Sequence, residues 1–234
     1  MKLLEQRATR DLLLLSVTAG SADAIGYLAL GEVFTSNMTG NVVLLGIHLG
    51  QGHLATAGRA LYVLAIFFLG LCLGAWLGKD VPERQWRALA FRLIGLEKVA
   101  LLVLAIGWVC VADKSNVVVT HGLLALLALA MGLQSAAMYR LSAPGVGTTA
   151  ITGTLTAFAT GLVGLFYITK IDPAEQEARR QRVMFQLSVV FLYCFGAALN
   201  GFLIIHIPRA AGGLPFLAAL FVAWGEWKMS PTET

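Results

Sequence analysis

The chain has 234 residues, 58% of them apolar and 13% charged, with a net charge of +4 and a mean hydropathy of +0.77. A soluble domain carries roughly 25% charged residues, so the composition excludes a water-soluble globular protein and leaves no stretch for a separate soluble domain. The basic residues lie in short segments between apolar runs instead of clustering on one solvated face. That argues against nucleic acid as the partner and for a lipid bilayer.

Lys2, Arg7 and Arg10 precede the run Leu12-Leu13-Leu14-Leu15, as in a signal sequence. No small-residue cleavage site leads into polar sequence and the apolar run continues to Leu30, so the expectation is an uncleaved first span, Asp11–Leu30, containing Gly20, Ser21 and Asp23. The polar stretch Phe34-Thr35-Ser36-Asn37-Met38-Thr39-Gly40-Asn41 follows. A short helix is expected from Asn37 to Gly50, which rises about 21 Å against a hydrocarbon core of roughly 30 Å. Span 2 covers Ala60–Gly78 and holds Gly70, Gly74 and Gly78 at spacings of four. Such a stripe permits close packing, within the bundle or as the seam of a homodimer. After a charged loop, span 3 covers Phe91–Ala112, with Glu97 and Lys98 about one and a half turns in; Arg92 and Arg140 are candidate partners of Glu97.

Span 4 runs from Val117 to Tyr139 and contains Gln134. Residues 141–147 carry Pro144 and two glycines and are expected to be irregular. A second polar stretch, Gly147-Thr148-Thr149-Ala150-Ile151-Thr152-Gly153-Thr154, opens a helical segment to Ile168. A solvated loop of mixed charge, Lys170–Arg182, leads to span 5, Val183–Ile207. Span 6, Leu214–Trp227, ends with Trp224 and Trp227, which suit a membrane–water interface.

The two halves repeat. Gly20, Asp23, Ala24 and Tyr27 lie 112 residues before Gly132, Ser135, Ala136 and Tyr139; Thr39-Gly40-Asn41 lies 113 before Thr152-Gly153-Thr154; and Gly70 has a counterpart in Gly196. Charge sets how the halves sit. If the two short segments dip in and return, one side holds Lys2, Arg7, Arg10, Lys79, Arg84, Arg87, Arg92, Arg140, Lys170, Arg179, Arg180, Arg182 and Lys228, and the other only Arg59, Lys114 and Arg209. Full crossing by both would carry the basic loop after span 2 outside, against the positive-inside rule. The expectation is therefore an all-α membrane protein, a single transmembrane domain over 1–234. It would have about six transmembrane helices and two short half-helices in an inverted repeat (11–112 and 117–228), both termini being cytoplasmic. The length of the second short segment, about twenty residues, leaves a full crossing open there.

The stretch Leu13-Leu14-Leu15-Ser16-Val17-Thr18-Ala19-Gly20-Ser21-Ala22-Asp23-Ala24, with Gly26-Tyr27 and the block Thr35-Ser36-Asn37-Met38-Thr39-Gly40-Asn41, resembles the YoaK-like family of bacterial integral membrane proteins. The resemblance spans nearly the whole chain and implies a multi-pass protein of the bacterial inner membrane. It carries no substrate and no functional residues with it.

Hydroxyls and amides this dense at membrane depth must face protein, water or a solute. Two opposed helix starts, each with unpaired amides and a positive dipole end, would hold a small polar or anionic solute. The candidate binding residues are Ser36, Asn37, Thr39, Gly40, Asn41, Thr149, Thr152, Gly153 and Gln134; the competing reading is that these side chains cap helices and bond to neighbours. Asp23 and Glu97 are the intramembrane acids and the candidate coupling groups. Cys72, Cys110 and Cys194 read as small buried residues, and the four histidines share no ligand spacing, so neither metal nor cofactor is expected. No nucleophile–base pair is written either, so no enzymatic activity is expected. The reading is a small secondary transporter, proton-coupled through such an acid, with a passive channel as the alternative.

Overall fold

The computed structural model describes residues 2–82, 85–110, 116–141, 147–149, 151–167 and 172–227; the side chains of 2–9, 87, 140, 141 and 223–227 lie outside that description. Residues 142–146 of the expected irregular segment, Ala150, Arg84, Lys114, Lys170 and Lys228 therefore lie outside the described residues, as do the side chains of Lys2, Arg7, Arg87, Arg140, Trp224 and Trp227.

The described residues form helices joined by short connections: α1 (Lys2–Ala29), α2 (Met38–Gly50), α3 (Leu54–Leu77), α4 (Trp86–Cys110), α5 (Val117–Leu141), α6 (Ile151–Tyr167), α7 (Pro173–His206), α8 (Pro208–Ala211) and α9 (Gly213–Trp227). Five of them, α1, α3, α4, α5 and α7, are long and apolar enough to cross a membrane. α9, at 15 residues, rises only about 22 Å and is extended outward by α8, whose Pro208 carbonyl accepts from Trp108 Nε1 at 2.7 Å.

Helix starts and the placement of the cysteines differ from the sequence reading. α7 starts at Pro173, so most of the expected loop 170–182 is helix. Asp172 at the N-cap position and Pro173 in the first turn are ordinary start signals, and the Glu175–Arg179 pair at 3.8 Å supports the added turns. α4 starts at Trp86, which places Glu97 three turns inside it. Cys72, Cys110 and Cys194 are all exposed on the outside of the bundle and are not core residues.

The connection after α1 has a specific local cause. Gly31 (φ 119°) and Glu32 (φ 60°) are both left-handed and turn the chain back on itself. Residues 33–36 then run alongside the last turns of α1, where Gly26 has no side chain to obstruct the Val33 carbonyl, and Phe34 stacks on Tyr27 at 5.2 Å. α2 begins there and leads away again. Asn37 caps it, its side chain accepting from the Gly40 amide at 3.3 Å. Arg59, early in α3, donates to the Gly31 carbonyl at 2.9 Å. The end of α1 and the start of α3 thus meet at one end of the bundle.

The packing pairs off between the halves. α1 lies on α7 as α5 lies on α3; α1 meets α9 as α5 meets α4; and α2 lies on α3 as α6 lies on α7. Each half therefore lends its first helix to the third helix of the other. Glycines mark both crossings. A Cβ on Gly20 or Gly196 would run into the backbone of Tyr193 or Val17, and one on Gly132 or Gly70 into that of Phe67 or Leu129. The glycine stripe of α3 is thereby consumed inside the chain: Gly70 lies on Gly132 and Gly74 on Ala136. Gly78 is buried at the C-cap of the same helix. Gly70 and Gly74 therefore face α5 within this chain.

Candidate functional site

Each polar stretch is stitched to the helix before it, and the two stitches match. In the first half Asp23 of α1 receives the amides of Thr35 (2.7 Å) and Ser36 (2.6 Å) on Oδ1, and the Ser36 hydroxyl on Oδ2 at 2.8 Å. The Thr35 hydroxyl approaches Oδ1 at 3.4 Å, and the Tyr193 hydroxyl of α7 donates to Oδ2. In the second half the corresponding contact is a single hydroxyl pair, Ser135 to Thr149, at 2.8 Å. One turn into each short helix, a side chain closes a ring with the backbone seven residues earlier. Asn41 accepts from the Phe34 amide (2.9 Å) and donates to its carbonyl (2.5 Å), and Thr154 does both with Gly147 at 2.9 and 3.0 Å. The bond pattern repeats at the sequence offset of 113 although Asn has become Thr. Polarity and reach are kept where identity is not.

Of the residues expected to surround a solute, Ser36, Asn41 and Gln134 are buried and Thr149 is half-buried; Gly40 packs on the Phe34 ring. Asn37, Thr39, Thr152 and Gly153 face out of the bundle, and nothing stands within 4 Å of a Cβ placed on Gly153. A thirteen-residue helix turns only one side inward, and Asn41, bonded to the Phe34 backbone, rather than Thr39 lies on that side. Sequence reasoning took the motif as a block, where a helix divides it.

The two helix starts are also staggered. Gln134 of α5 donates to the Leu15 carbonyl of α1 (3.1 Å) and to the Thr148 hydroxyl (2.9 Å), which ties the second polar stretch to the level of Leu15. The first is tied to Asp23, eight residues further along α1, or roughly 12 Å at 1.5 Å per residue. The two polar stretches are thus tied to α1 about two turns apart.

The two acids are placed differently. Asp23 is surrounded by donors, and the nearby Ser21 hydroxyl is not among them. Glu97 is fully buried in α4, and neither of its oxygens has a hydrogen-bond partner among the described residues. Arg92, one expected partner, has an exposed side chain; the other, Arg140, has a side chain outside the description. The residues missed from sequence are Tyr193, Thr35, Thr148, Thr154 and Asn200, whose amide donates to the Ser21 carbonyl at 3.0 Å. The repeat gives no signal for Tyr193 or Asn200: at the offset that relates Gly70 to Gly196 they stand opposite Phe67 and Gly74 of α3, neither of which is polar. Among the described residues no group of three or more His, Cys, Asp or Glu is placed to hold a metal ion.

Apolar helices of spanning length, arranged around buried hydroxyl, amide and carboxyl groups, define an all-helical membrane protein. The chain belongs to the family described as "Protein of unknown function (DUF1275)", whose model matches residues 12–225. It is 34% identical over 186 residues to the UPF0700 transmembrane protein YoaK of Bacillus subtilis (strain 168), a match covering 80% of this chain and 79% of that protein. No solved structure matches it.

Proposed function

We propose that the protein is a small secondary transporter of the bacterial inner membrane, with both termini cytoplasmic, that moves a small polar or anionic solute. The observation that carries this reading is the matched pair of short helices, each held at its start by a facing helix well inside the bundle. In this reading α2 and α6 are re-entrant and enter from opposite sides. The Arg59–Gly31 contact, which brings the flanks of α2 to one end, supports the first of these. The exchange of α1 and α5 between the halves supports an inverted repeat that rocks about its own axis.

Asp23 occupies the place before α2 that an anion would take, whereas the matching position before α6 is the neutral Ser135. The solute is therefore assigned to the second half, against Ser135 and Thr149. With Asp23 engaged by its donors, Glu97 is the acid left for coupling.

Two measurements test the proposal. Single cysteines introduced at Gly31 and at Gln51 in a Cys-free background should both react with a membrane-impermeant thiol reagent from the same face; labelling from opposite faces means that α2 crosses and removes the inverted repeat. In liposomes containing a pH-sensitive dye, one member of a panel of small carboxylates, inorganic anions and neutral polyols should drive proton movement that Glu97→Gln abolishes. Equilibrating solute flux without protons would make the protein a passive channel. No flux of any panel member would remove transport.

A further inference from the structure

A buried carboxyl group with no partner is among the most costly arrangements a protein can hold, and far more so as an anion than as an acid. Glu97 is in that position. Its register against α5 shows what lies level with it. Gly107 of α4 stands by the Leu123 side chain, while Leu93 of α4 and Ala136 of α5 both close on Gly74. α4 and α5 are thus antiparallel, with paired residue numbers adding to about 230, and Glu97 lies level with Leu133 and Gln134. Gln134 is fully buried, its amide nitrogen is committed to Leu15 and Thr148, and its Oε1 has no hydrogen-bond partner among the described residues.

Two orphaned groups thus stand at one depth: a carboxyl and a carbonyl oxygen. Both are acceptors, and a single proton on Glu97 would remove its charge and give Gln134 Oε1 a donor. We infer that Glu97 carries a proton and donates it to Gln134 Oε1, forming a buried proton-binding site. Among the described residues, the buried side chains that α9 (Ala219, Val222) and α5 (Ala130, Leu133, Ala137) contribute to the clusters on this face of α4 do not titrate. Lys98, the adjacent residue on α4, is half-buried, and its charge acts on Glu97 without a hydrogen bond between them. A metal cation such as Na+ would need several more oxygens than one carboxyl and one amide supply. A proton needs one acceptor.

The inference deepens the transporter reading, in which this is the coupling proton, yet it can be tested without transport. A membrane-permeant carbodiimide reacts with a protonated buried acid: the proton moves to a carbodiimide nitrogen, and the carboxylate oxygen bonds to the central carbon. Rearrangement then leaves an N-acylurea that keeps the whole reagent. Applied to the full-length protein in liposomes at neutral pH and analysed by peptide mass spectrometry, dicyclohexylcarbodiimide should modify Glu97, with Asp23 labelled at least tenfold less. A water-soluble, impermeant carbodiimide should label neither. Glu97→Gln, whose amide can donate to Gln134 in place of the proton, should unfold at the wild-type temperature or higher. Absence of the Glu97 adduct, its suppression by 100 mM NaCl relative to choline chloride, or a marked loss of stability in Glu97→Gln would each overturn the proton site. The adduct without flux of any solute would leave the site standing and remove transport alone.

Discussion

Replacing Asp23 with Ala is expected to cost about 3–5 kcal/mol and to leave little folded protein in the membrane. The carboxylate takes two backbone amides and the hydroxyls of Ser36 and Tyr193, and all of these lose their acceptor at once. The hydroxyls can turn toward other acceptors. The amides of Thr35 and Ser36 cannot, and each buried donor left unpaired costs about 1–3 kcal/mol. Asp23→Asn should be milder, at about 1–2 kcal/mol. Its remaining oxygen still receives both amides, and the two hydroxyls can rotate to accept from its NH2 group. In the second half the same operation, Ser135→Ala, removes one hydroxyl contact and should cost about 1 kcal/mol. The check is thermal unfolding of the three purified variants in one detergent. The order Asp23→Ala far below Asp23→Asn and Ser135→Ala is the expected result. Equal losses for Asp23→Ala and Ser135→Ala would mean that the carboxylate does not anchor α2.

This asymmetry shows what the sequence could and could not convey. The long apolar helices were legible because their cause is local: a run of apolar residues long enough for a bilayer can do little else. The start of α2 was legible for the same reason, since Asn37 sits before an apolar run. The close crossings left a trace in Gly20 and Gly132, because a helix crossing at close range tolerates only small residues. Placement around a helix was not legible. Thr39 and Asn41 are both polar, both in the motif and two residues apart, yet a two-residue step turns the helix by about 200°, and only Asn41 faces the protein. Long-range partners were equally hidden. Nothing local to Tyr193 marks it as a ligand of Asp23, 170 residues earlier, because the relation exists only once α1 has been exchanged onto α7. Likewise the extra turns of α7 were missed by weighing mixed charge as a solvated loop, when the Asp-Pro start and the i,i+4 charge spacing specified a helix that runs on past the apolar segment.

That exchange carries the second large effect. Gly20→Ala and Gly196→Ala on the α1–α7 crossing, and Gly132→Ala and Gly70→Ala on the α5–α3 crossing, should each destabilise the protein by about 1–3 kcal/mol or more. In each case the new Cβ would meet backbone atoms of the opposite helix, and backbone cannot move aside as a flexible side chain can. The helices would have to separate, losing close contact along the crossing where van der Waals packing is the main attraction available in lipid. Gly95→Ala and Gly122→Ala, where nothing lies within 4 Å, provide the contrast. There the substitution only removes backbone freedom from the unfolded chain, and it should stabilise the protein by roughly 0.5–1 kcal/mol. The unfolding temperatures of the six variants should therefore fall on both sides of the wild-type value, four below and two at or above it. Because the two crossings join opposite halves, their glycines should also act together with function. A variant at either crossing that still folds should lose any solute flux before it loses its structure, since a rocking movement of one half against the other slides these same surfaces. Six variants all near the wild-type temperature would show that the halves do not pack through α1 and α5, and the exchanged arrangement would have to be given up.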